Sequence, residues 1–312
     1  MVSEGLAGSP ISVQSLRRLA GSWTAALRLP HWVKNTLVFV APVLGVHALT
    51  RVVAEQAALL FVLMGVLASG SYLVNDLVDL EADRRHPVKC FRPLAAGAIS
   101  QRTGKILAAV LIFVAVLMGI QSLPRTAAGM LLGYLALTLA YSFWLKRAAM
   151  VDVLTLAGLF TIRIAAGGAL AVTPQSPWLL TFSMLFFLSL AMAKRYAELE
   201  RVCREDGVGG TGARGYTVRD LPMMLSGGMA TGISAVVIFT VYLINEQYPR
   251  SLYENPSVLW AIMPILLAWM LRIWHLAANG RLNEDPVMYA IRDRTSLALG
   301  ALVLVALLVA WV

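Results

Sequence analysis

Three aspartates near the end of an apolar stretch, Asp76, Asp79 and Asp83, are the residues of this chain best suited to do chemistry. At 3.6 residues per turn they would lie within roughly 60° of one another on a helix, whereas Glu81 would point elsewhere. Like charges held together repel one another unless a cation lies between them. We therefore predict that the three aspartates are catalytic and hold Mg²⁺, which keeps some of its waters while it bridges the oxygens of a diphosphate. The alternative is a solvated acidic helix end just outside a membrane span.

Basic residues follow these acids directly. Arg84, Arg85, Lys89 and Arg92 come next in the chain, the last two in a short loop that prolines bound. Such a loop supplies cations to the phosphate oxygens that a metal leaves free. The sequence therefore predicts a diphosphate held between a carboxylate-bound metal and basic side chains.

Composition indicates that membrane helices position these groups. The 312 residues are 59% hydrophobic and 14% charged, with a mean hydropathy of +0.73, which is typical of an integral membrane protein. Windows long enough to span a bilayer lie near residues 34–54, 56–76, 104–121, 126–145, 151–171, 178–196, 222–244, 257–276 and 295–312. Since no strand-like alternation competes with them, we predict an all-α fold with nine transmembrane helices.

The net charge of +9 is explained by membrane topology and not by nucleic-acid binding. Of the 26 Lys and Arg residues, 22 fall in the N-terminal segment and in alternate loops, three fall in the opposite loops, and Arg163 falls within a span. Loops rich in Lys and Arg face the cytoplasm. We therefore predict a multi-pass protein of the cytoplasmic membrane, with the N-terminus and the acidic motif cytoplasmic and the C-terminus on the opposite side. Cys90 and Cys203 fall on the cytoplasmic side, where we expect reduced, unpaired thiols.

The chain divides into an N-terminal segment and one membrane domain. Residues 1–30 are predicted to form a tail and an interfacial helix, because apolar residues recur at helical spacing from residue 11 to residue 27. Residues 31–312 form a single domain, which opens with Trp32 and Lys34 at the start of the first span. A membrane interface selects both residue types in any case, so this stretch alone is weak evidence of function.

Polar groups also occur at the ends of other spans and inside one of them. Tyr141 and Lys146 at the end of the fourth span can reach the headgroup level and hold a diphosphate or a lipid phosphate, although an aromatic belt followed by basic residues explains them equally well. Arg163 lies two or three turns into the fifth span, so it should face a polar cavity unless it pairs with an acid on another helix. Lys194 and Glu198 share one face at the end of the sixth span.

With the pattern NDxxDxxxD at Asn75, Asp76, Asp79 and Asp83, the chain resembles the UbiA superfamily of intramembrane prenyltransferases. The resemblance covers nearly the whole length and is nearest to the branch typified by decaprenyl-phosphate phosphoribosyltransferase. The segments that match this branch are WVKN at 32–35, YLVND at 72–76, EADRRHP at 81–87, FRPLAAG at 91–97, KRYAEL at 194–199 and IRDR at 291–294. The resemblance implies a helical bundle in a bacterial inner membrane, with a central cavity open to the cytoplasm and Mg²⁺ as cofactor.

One departure from the usual pattern of the superfamily bears on the substrate. Its members have a second aspartate-rich motif after the sixth span, where this chain has Lys194, Arg195, Tyr196 and Glu198. One carboxylate and two cations suit a site that must hold extra phosphate charge. The resemblance thus implies 5-phosphoribosyl 1-diphosphate as the donor and a polyprenyl phosphate as the acceptor.

The resemblance also implies roles for individual side chains. The predicted substrate-binding residues are Lys34, Asn75, Arg84, Lys89, Arg92, Tyr141, Lys146, Arg163, Lys194, Tyr196 and Glu198. Of these, Lys194, Tyr196 and Glu198 would take the 5-phosphate and hydroxyls of the ribose, and the three from the fourth and fifth spans would take one of the phosphates.

Two alternatives remain open on the sequence alone. One keeps the fold and changes the substrates to a prenyl diphosphate donor and an aromatic acid acceptor. The other is a polytopic transporter. Transport needs ionisable groups near the midplane and access from both faces. We disfavour it because all but a handful of the charges in this chain fall on one side of the membrane. The resemblance further implies that a separate phosphatase removes the 5-phosphate of the product, which would serve envelope or surface glycan synthesis. A homo-oligomer is compatible with the sequence.

Overall fold

A computed structural model describes residues 21–44, 50–170, 175–206, 213–249, 253–282 and 285–311. Within these ranges, eight helices are long and apolar enough to cross a membrane. They are α1 (Arg51–Val78), α2 (Gln101–Ser122), α3 (Arg125–Phe143), α4 (Val151–Gly168), α5 (Pro177–Asp206), α6 (Leu221–Tyr242), α7 (Ile262–Ala278) and α8 (Arg294–Trp311). The predicted all-α membrane fold is confirmed, and each of these helices falls on one of the nine predicted spans.

The first predicted span, residues 34–54, differs from the structure. Residues Leu29–Phe39 form a 3₁₀-helix, Val40–Leu44 form a short α-helix, and residues 45–49 lie outside the described part of the chain. Residues 51–54 belong to α1, because the side chain of Thr50 accepts a hydrogen bond from the Val53 amide and so caps a new helix. The window was drawn across this boundary because both sides of it are apolar.

The N-terminal segment is described only in part. Residues 21–26 are helical, in agreement with the end of the helix predicted over residues 11–27, and residues 1–20 lie outside the described ranges. The chain then turns at Arg28, whose φ of 50° lies in the left-handed region, and the 3₁₀-helix begins at Leu29 with Pro30 in its first turn. Proline favours that position because its missing amide would be unpaired there in any case.

The 3₁₀-helix Leu29–Phe39 packs across α4 at a very short distance. A Cβ placed on Gly167 would meet the carbonyl oxygen of Val38 at 1.9 Å, so only glycine allows this contact between backbones. The contact fixes the segment that carries Lys34 and Asn35, both of which are buried. Close approach through small residues is the usual way for helices to associate in a membrane.

Helix α4 runs through the centre of the protein and separates two clusters of buried apolar side chains. Val153 and Ile164 of α4 belong to a cluster formed with α5, α6, α7 and α8. Leu159 and Ala166 of α4 belong to a second cluster formed with α1, α2 and α3. The two charged side chains of α4, Asp152 and Arg163, are both buried in the interior.

The two ends of the bundle differ in chemistry. The acidic motif, the basic loop after it and the start of α6 lie at one end. The backbone amide of Asn255 donates to the carbonyl of Ala310 at the other end, so the C-terminus of α8 lies far from the acidic motif. This arrangement agrees with the predicted topology of the chain, while the side of the membrane on which each end lies stays a prediction.

Candidate active site

A cavity opens at the acidic end of the bundle, where α1, α3 and α5 approach residues 285–287. It contains about 1210 Å³ of empty space, counting its open mouth. The charged side chains in its wall are Arg28, Lys34, Asp79, Lys89, Arg92, Arg163, Lys194, Arg214 and Asp285. Seven of these nine are cations, so the cavity is suited to a ligand that carries several negative charges.

Two carboxylates of the acidic motif share one cation. Asp76 and Asp83 are buried, with 4% and 3% of their surface exposed. Nη1 of Arg92 lies 3.1 Å from Oδ1 of Asp76 and 2.6 Å from Oδ2 of Asp83. Nη2 of Arg28 donates to the same Asp76 oxygen at 2.6 Å. Positive charge is therefore placed between these two acids, as the repulsion between carboxylates requires.

The third carboxylate points in another direction. Asp79 accepts a hydrogen bond from Nζ of Lys146 at 2.6 Å, and Oδ1 of Asn75 accepts one from the same nitrogen at 3.0 Å. The interpretation of the three acids as one continuous helical face needs correction, because α1 ends at Val78 and a turn at Asp79 separates it from the short helix Leu80–Arg85. Within the described ranges, no three acidic, histidine or cysteine side chains are gathered closely enough to form a metal cluster.

Arg163 lies at the inner end of the cavity. Its Nε donates to Oδ1 of Asn35 at 3.0 Å, its Nη2 donates to the hydroxyl of Tyr134 at 2.8 Å, and its Nη1 donates to the carbonyl of Leu159. Only 5% of its surface is exposed. Among the residues that the structure describes, no carboxylate lies within ion-pair distance of Arg163, so its charge is available to an anionic ligand.

A carboxylate from the C-terminal part of the chain joins two lysines in the cavity wall. Oδ2 of Asp285 lies 3.0 Å from Nζ of Lys34 and 3.5 Å from Nζ of Lys194. Burial alone would raise the pKa of Asp285, but the two ammonium groups hold it well below its usual range. Its other oxygen accepts from the amide of Val287 and caps the helix Pro286–Ala290. Asp285 thus ties the start of the bundle to α5.

The amino-acid sequence matches a known family over most of its length. Residues 36–291 match the sequence model of the UbiA prenyltransferase family. The chain belongs to this family. The resemblance predicted from the acidic motif is therefore confirmed.

Several proteins are similar to this UbiA-family chain in sequence. The uncharacterized protein y4nM of Sinorhizobium fredii is 40% identical over 92% of the chain, which spans 55% of the length of y4nM. The decaprenyl-phosphate phosphoribosyltransferase of Mycobacterium tuberculosis is 32% identical over 91% of the chain and 92% of its own length. The nodulation protein NoeC of Azorhizobium caulinodans is 33% identical over 88% of the chain and 89% of its own length.

A solved structure shares the fold. The UbiA homolog from Archaeoglobus fulgidus bound to GPP and Mg²⁺ superposes with a TM-score of 0.68 over 91% of this chain and 99% of that chain, at 16% identity. Together with the eight membrane helices, these similarities identify the protein as a bacterial integral membrane transferase of the UbiA family.

Two of the predicted substrate-binding residues lie away from the cavity of this UbiA-family protein, and a third lies at its edge. Tyr196 packs against Trp274 of α7, with ring centroids 6.0 Å apart. Two residues along a helix correspond to a rotation of about 200°, so Tyr196 cannot share the face of Lys194. Arg84 is exposed and pairs with Glu81 at 3.0 Å. Glu198 pairs with Arg195 and lines an adjoining groove that shares Lys89, Arg92 and Lys194 with the cavity wall.

The remaining predicted residues lie in or next to the cavity, although Asp76 and Asp83 do not line it themselves and contact its wall through Arg28 and Arg92. Those in its wall are Lys34, Asn75, Asp79, Lys89, Arg92, Tyr141, Arg163 and Lys194. Lys146 is buried behind the wall, where it holds Asp79 and Asn75.

Sequence reasoning missed several residues of the site. Arg28 comes from the segment predicted as a tail, and its guanidinium lies 4.5 Å from the ring centroid of Tyr72 as well as against Asp76. Arg214 and Asp285 come from connections between spans in which the sequence predicted no site residue. The sequence contained two local signals, namely a basic residue, Arg28, just before the first span and the pair Asp285–Pro286 at the start of a short helix. Neither signal indicated which side chain it would contact.

Proposed function

We propose that this UbiA-family transferase moves the 5-phosphoribosyl group of 5-phosphoribosyl 1-diphosphate to a polyprenyl phosphate and releases diphosphate. The observation that carries the proposal is the charge of the cavity wall, where seven Lys and Arg side chains still outnumber the acids when Asp76 and Asp83, the partners of Arg28 and Arg92, are counted with the two Asp side chains of the wall. The proposed donor brings a 5-phosphate and a diphosphate, and the acceptor brings another phosphate. A prenyl diphosphate and an aromatic acid would bring one diphosphate and one carboxylate, which need fewer cations.

The relatives support the same choice. The Mycobacterium tuberculosis protein that matches along nearly its whole length is named as a decaprenyl-phosphate phosphoribosyltransferase. In the second half of α5 the chain also has Lys194 in the cavity wall, where a second acidic motif would favour another metal, while the adjacent Arg195 pairs with Asp152 and Glu198.

The proposed reaction is a substitution at the anomeric carbon of the ribose. An oxygen of the acceptor phosphate forms the new bond to C1, and the bond from C1 to the diphosphate breaks, with its electron pair leaving on the diphosphate. Charge therefore develops on the leaving group while the sugar becomes oxocarbenium-like. Lys89 and Arg92 are placed to donate to the departing oxygens. Because the acceptor phosphate is already an anion, the site needs no strong general base.

Magnesium is the cofactor that we propose, and the donor set suits it. Carboxylate oxygens are the ligands that this hard ion prefers. The buried carboxylates of Asp76 and Asp83 already share one cationic nitrogen of Arg92, which marks a point between them that requires positive charge. Asp79, whose carboxylate contacts Lys146, completes the proposed set. When bound, the ion neutralises charge on the diphosphate.

The other cations of the wall are assigned to the remaining phosphates. Lys194 lies beside Lys34 and Asp285 and is proposed to hold the 5-phosphate of the ribose. Arg163 at the inner end, with Tyr141 nearer the mouth, is proposed to hold a second phosphate. Tyr196, Arg84 and Glu198 are left out of the proposed site because of where they lie. The mouth is proposed to face the cytoplasm, where basic loops and a soluble donor are both expected.

The proposal is tested with purified protein in detergent, Mg²⁺ and each pair of substrates. We expect diphosphate release with 5-phosphoribosyl 1-diphosphate and a polyprenyl phosphate, and none with a prenyl diphosphate and an aromatic acid. Glu81→Gln, which removes an exposed acid of the same segment, should release diphosphate at the wild-type rate. Release only with the prenyl and aromatic pair would refute the proposal.

A further inference from the structure

A short segment after α5 inserts one arginine into the cavity. Nη1 of Arg214 donates to the hydroxyl of Tyr141, and the guanidinium lies 5.6 Å from the centroid of that ring. The φ of Arg214 is 68°, in the left-handed region that residues other than glycine rarely adopt. A residue held in such a conformation at a binding cavity points to a functional role.

The next two residues fix this conformation. The Tyr216 hydroxyl donates to Oδ1 of Asp152 and accepts from the backbone amide of Met150 at 2.8 Å. Tyr216 and Asp152 are almost fully buried. Gly215, with a φ of 78°, passes so close to the carbonyl oxygen of Arg147 that a Cβ would lie 3.0 Å from it. The segment is therefore anchored to the start of α4 by buried hydrogen bonds.

The anchor leaves the charge of Arg214 available. Among the described carboxylates, that of Asp152 lies 3.9 Å from Nη1 of Arg214, and that of Glu198 is close enough to interact with its charge. The Asp152 carboxylate already accepts from Nε of Arg195 at 2.6 Å and from the Tyr216 hydroxyl. The hydrogen bond that Arg214 makes itself goes to Tyr141, which is neutral. Arg214 is thus held in place mainly by uncharged contacts, and about a third of its side chain, 31%, remains exposed.

Two other cations lie on the same side of the cavity. Lys89 and Arg92 line its wall together with Arg214. Burial lowers the pKa of Lys89, and the neighbouring guanidinium groups of Arg92 and Arg214 lower it further, because like charges disfavour one another, while the carboxylates of Asp83 and Glu198 oppose this shift only in part. Among the described residues no ion pair joins Lys89 to a carboxylate. An anion that carries more than one charge would relieve the repulsion among the three.

We infer that Arg214 binds the diphosphate group of the donor together with Lys89 and Arg92, and that Tyr216 and Asp152 are positioning residues that hold it there. The diphosphate is favoured over the 5-phosphate because Arg92 joins this group of cations to Asp76 and Asp83 of the acidic motif. The inference rests on the proposed function for the identity of the donor. The site itself requires only that the donor carry a diphosphate.

Arg214→Gln tests the binding role. We expect the KM for the donor to rise roughly 10- to 100-fold, as for a lost hydrogen bond between charged groups, with the KM for the acceptor and the melting temperature unchanged. Arg214→Lys should recover part of the loss, because it keeps the charge without the planar fork. Arg219→Gln is the matched control, since Arg219 is exposed on the same segment. A donor KM within twofold of wild type in Arg214→Gln would overturn the inference.

Tyr216→Phe tests the positioning role. The variant keeps the ring and removes the hydrogen bond to Asp152, so we expect a raised donor KM and a lower melting temperature. In the Arg214→Gln background the same change should still lower the melting temperature but should not raise the donor KM again. An equal rise of the donor KM in both backgrounds would show that Tyr216 acts independently of Arg214 and would overturn the positioning claim.

Binding of Mg²⁺ with inorganic diphosphate separates this inference from the proposed function. The affinity is measured by calorimetry in detergent, without acceptor, on wild type and Arg214→Gln. Loss of binding in the variant supports the inference, whether or not the wild type turns over 5-phosphoribosyl 1-diphosphate. If the wild type does not turn over that donor, only the proposed function is refuted. Equal affinity in the two proteins, or no binding to the wild type, overturns the inference even where that donor is turned over.

Discussion

Replacement of Asp285 by asparagine should destabilise the empty protein and enlarge its response to anions. The asparagine oxygen can still accept from the Val287 amide, so the cap of the helix Pro286–Ala290 is kept. The change removes only the negative charge that lies 3.0 Å from Nζ of Lys34 and 3.5 Å from Nζ of Lys194. Two ammonium groups in the cavity wall would then have no counter-ion between them.

The distances set the size of the effect. At an effective dielectric constant of about 20, each attraction is worth roughly 5 kcal/mol before desolvation. Both nitrogens contact the same oxygen, so they are no farther apart than the two distances together, about 6.5 Å. At that separation they repel each other by roughly 2.6 kcal/mol at the same dielectric constant. Breaking a buried pair costs about 3–5 kcal/mol. Because 32% of the Lys194 side chain is exposed, we expect a loss of about 2–3 kcal/mol.

Thermal unfolding in detergent, with and without Mg²⁺ and inorganic diphosphate, measures both effects. Asp285→Asn should melt lower than wild type without ligand and should gain more from the ligand, since an anion can take the place of the lost carboxylate. Asp293→Asn is the matched control, because it breaks the pair with Arg272 at 2.8 Å outside the cavity. That variant should melt lower with an unchanged response to the ligand. Wild-type stability of Asp285→Asn, or an unchanged response, would refute the assignment of these lysines to a ligand.

Three further predictions concern the acidic motif, the inner arginine and the basic loop. Asp76→Asn should abolish turnover and the binding of Mg²⁺ with diphosphate while the protein stays folded by size-exclusion chromatography; full activity would contradict the metal assignment. Arg163→Lys should raise the KM of one substrate at least tenfold in steady-state assays, because a single ammonium nitrogen cannot replace the three guanidinium nitrogens that donate separately to Asn35, Tyr134 and the Leu159 carbonyl. Burial and neighbouring cations lower the pKa of Lys89. Its ammonium should therefore lose its proton, and kcat/KM for the donor should fall with rising pH, starting below the usual lysine pKa of about 10.4. Lys89→Arg should move that fall to higher pH in a pH-rate profile, and an unmoved profile would exclude Lys89 as its source.

Local patterns predicted the membrane helices and the kind of residue at the site. Apolar runs and the acidic spacing are read directly from neighbouring residues, so eight spans and the acidic motif were found where the structure has them. Nothing in the sequence indicated the turn at Asp79, because the four-residue spacing of Asn75, Asp79 and Asp83 is that of an uninterrupted helix. In the structure the amides of Asp79 and Asp83 still donate to the carbonyls four residues earlier, through the turn. The direction of each carboxylate then depends on where that turn leaves it.

Contacts between distant parts of the chain were beyond the reach of these patterns. Arg28 and Asp76 are 48 residues apart, and Lys146 and Asp79 are 67 apart, so neither pairing has a signal in sequence spacing. Asp285 pairs with Lys34 across most of the chain. Tyr196 shows the opposite limit, since a matched motif suggested a role that helical periodicity alone excludes next to Lys194.

The contact between Gly167 and the Val38 carbonyl makes one hydrogen atom of the protein unusually consequential. A methyl group in its place would occupy the space of the Val38 backbone and displace the segment that presents Lys34 and Asn35. Such a change touches no substrate and alters no charge, yet it would disturb the ammonium group and the amide on which the inner cations depend. A substitution of Gly167 would therefore change the cavity only by displacing the backbone behind its wall.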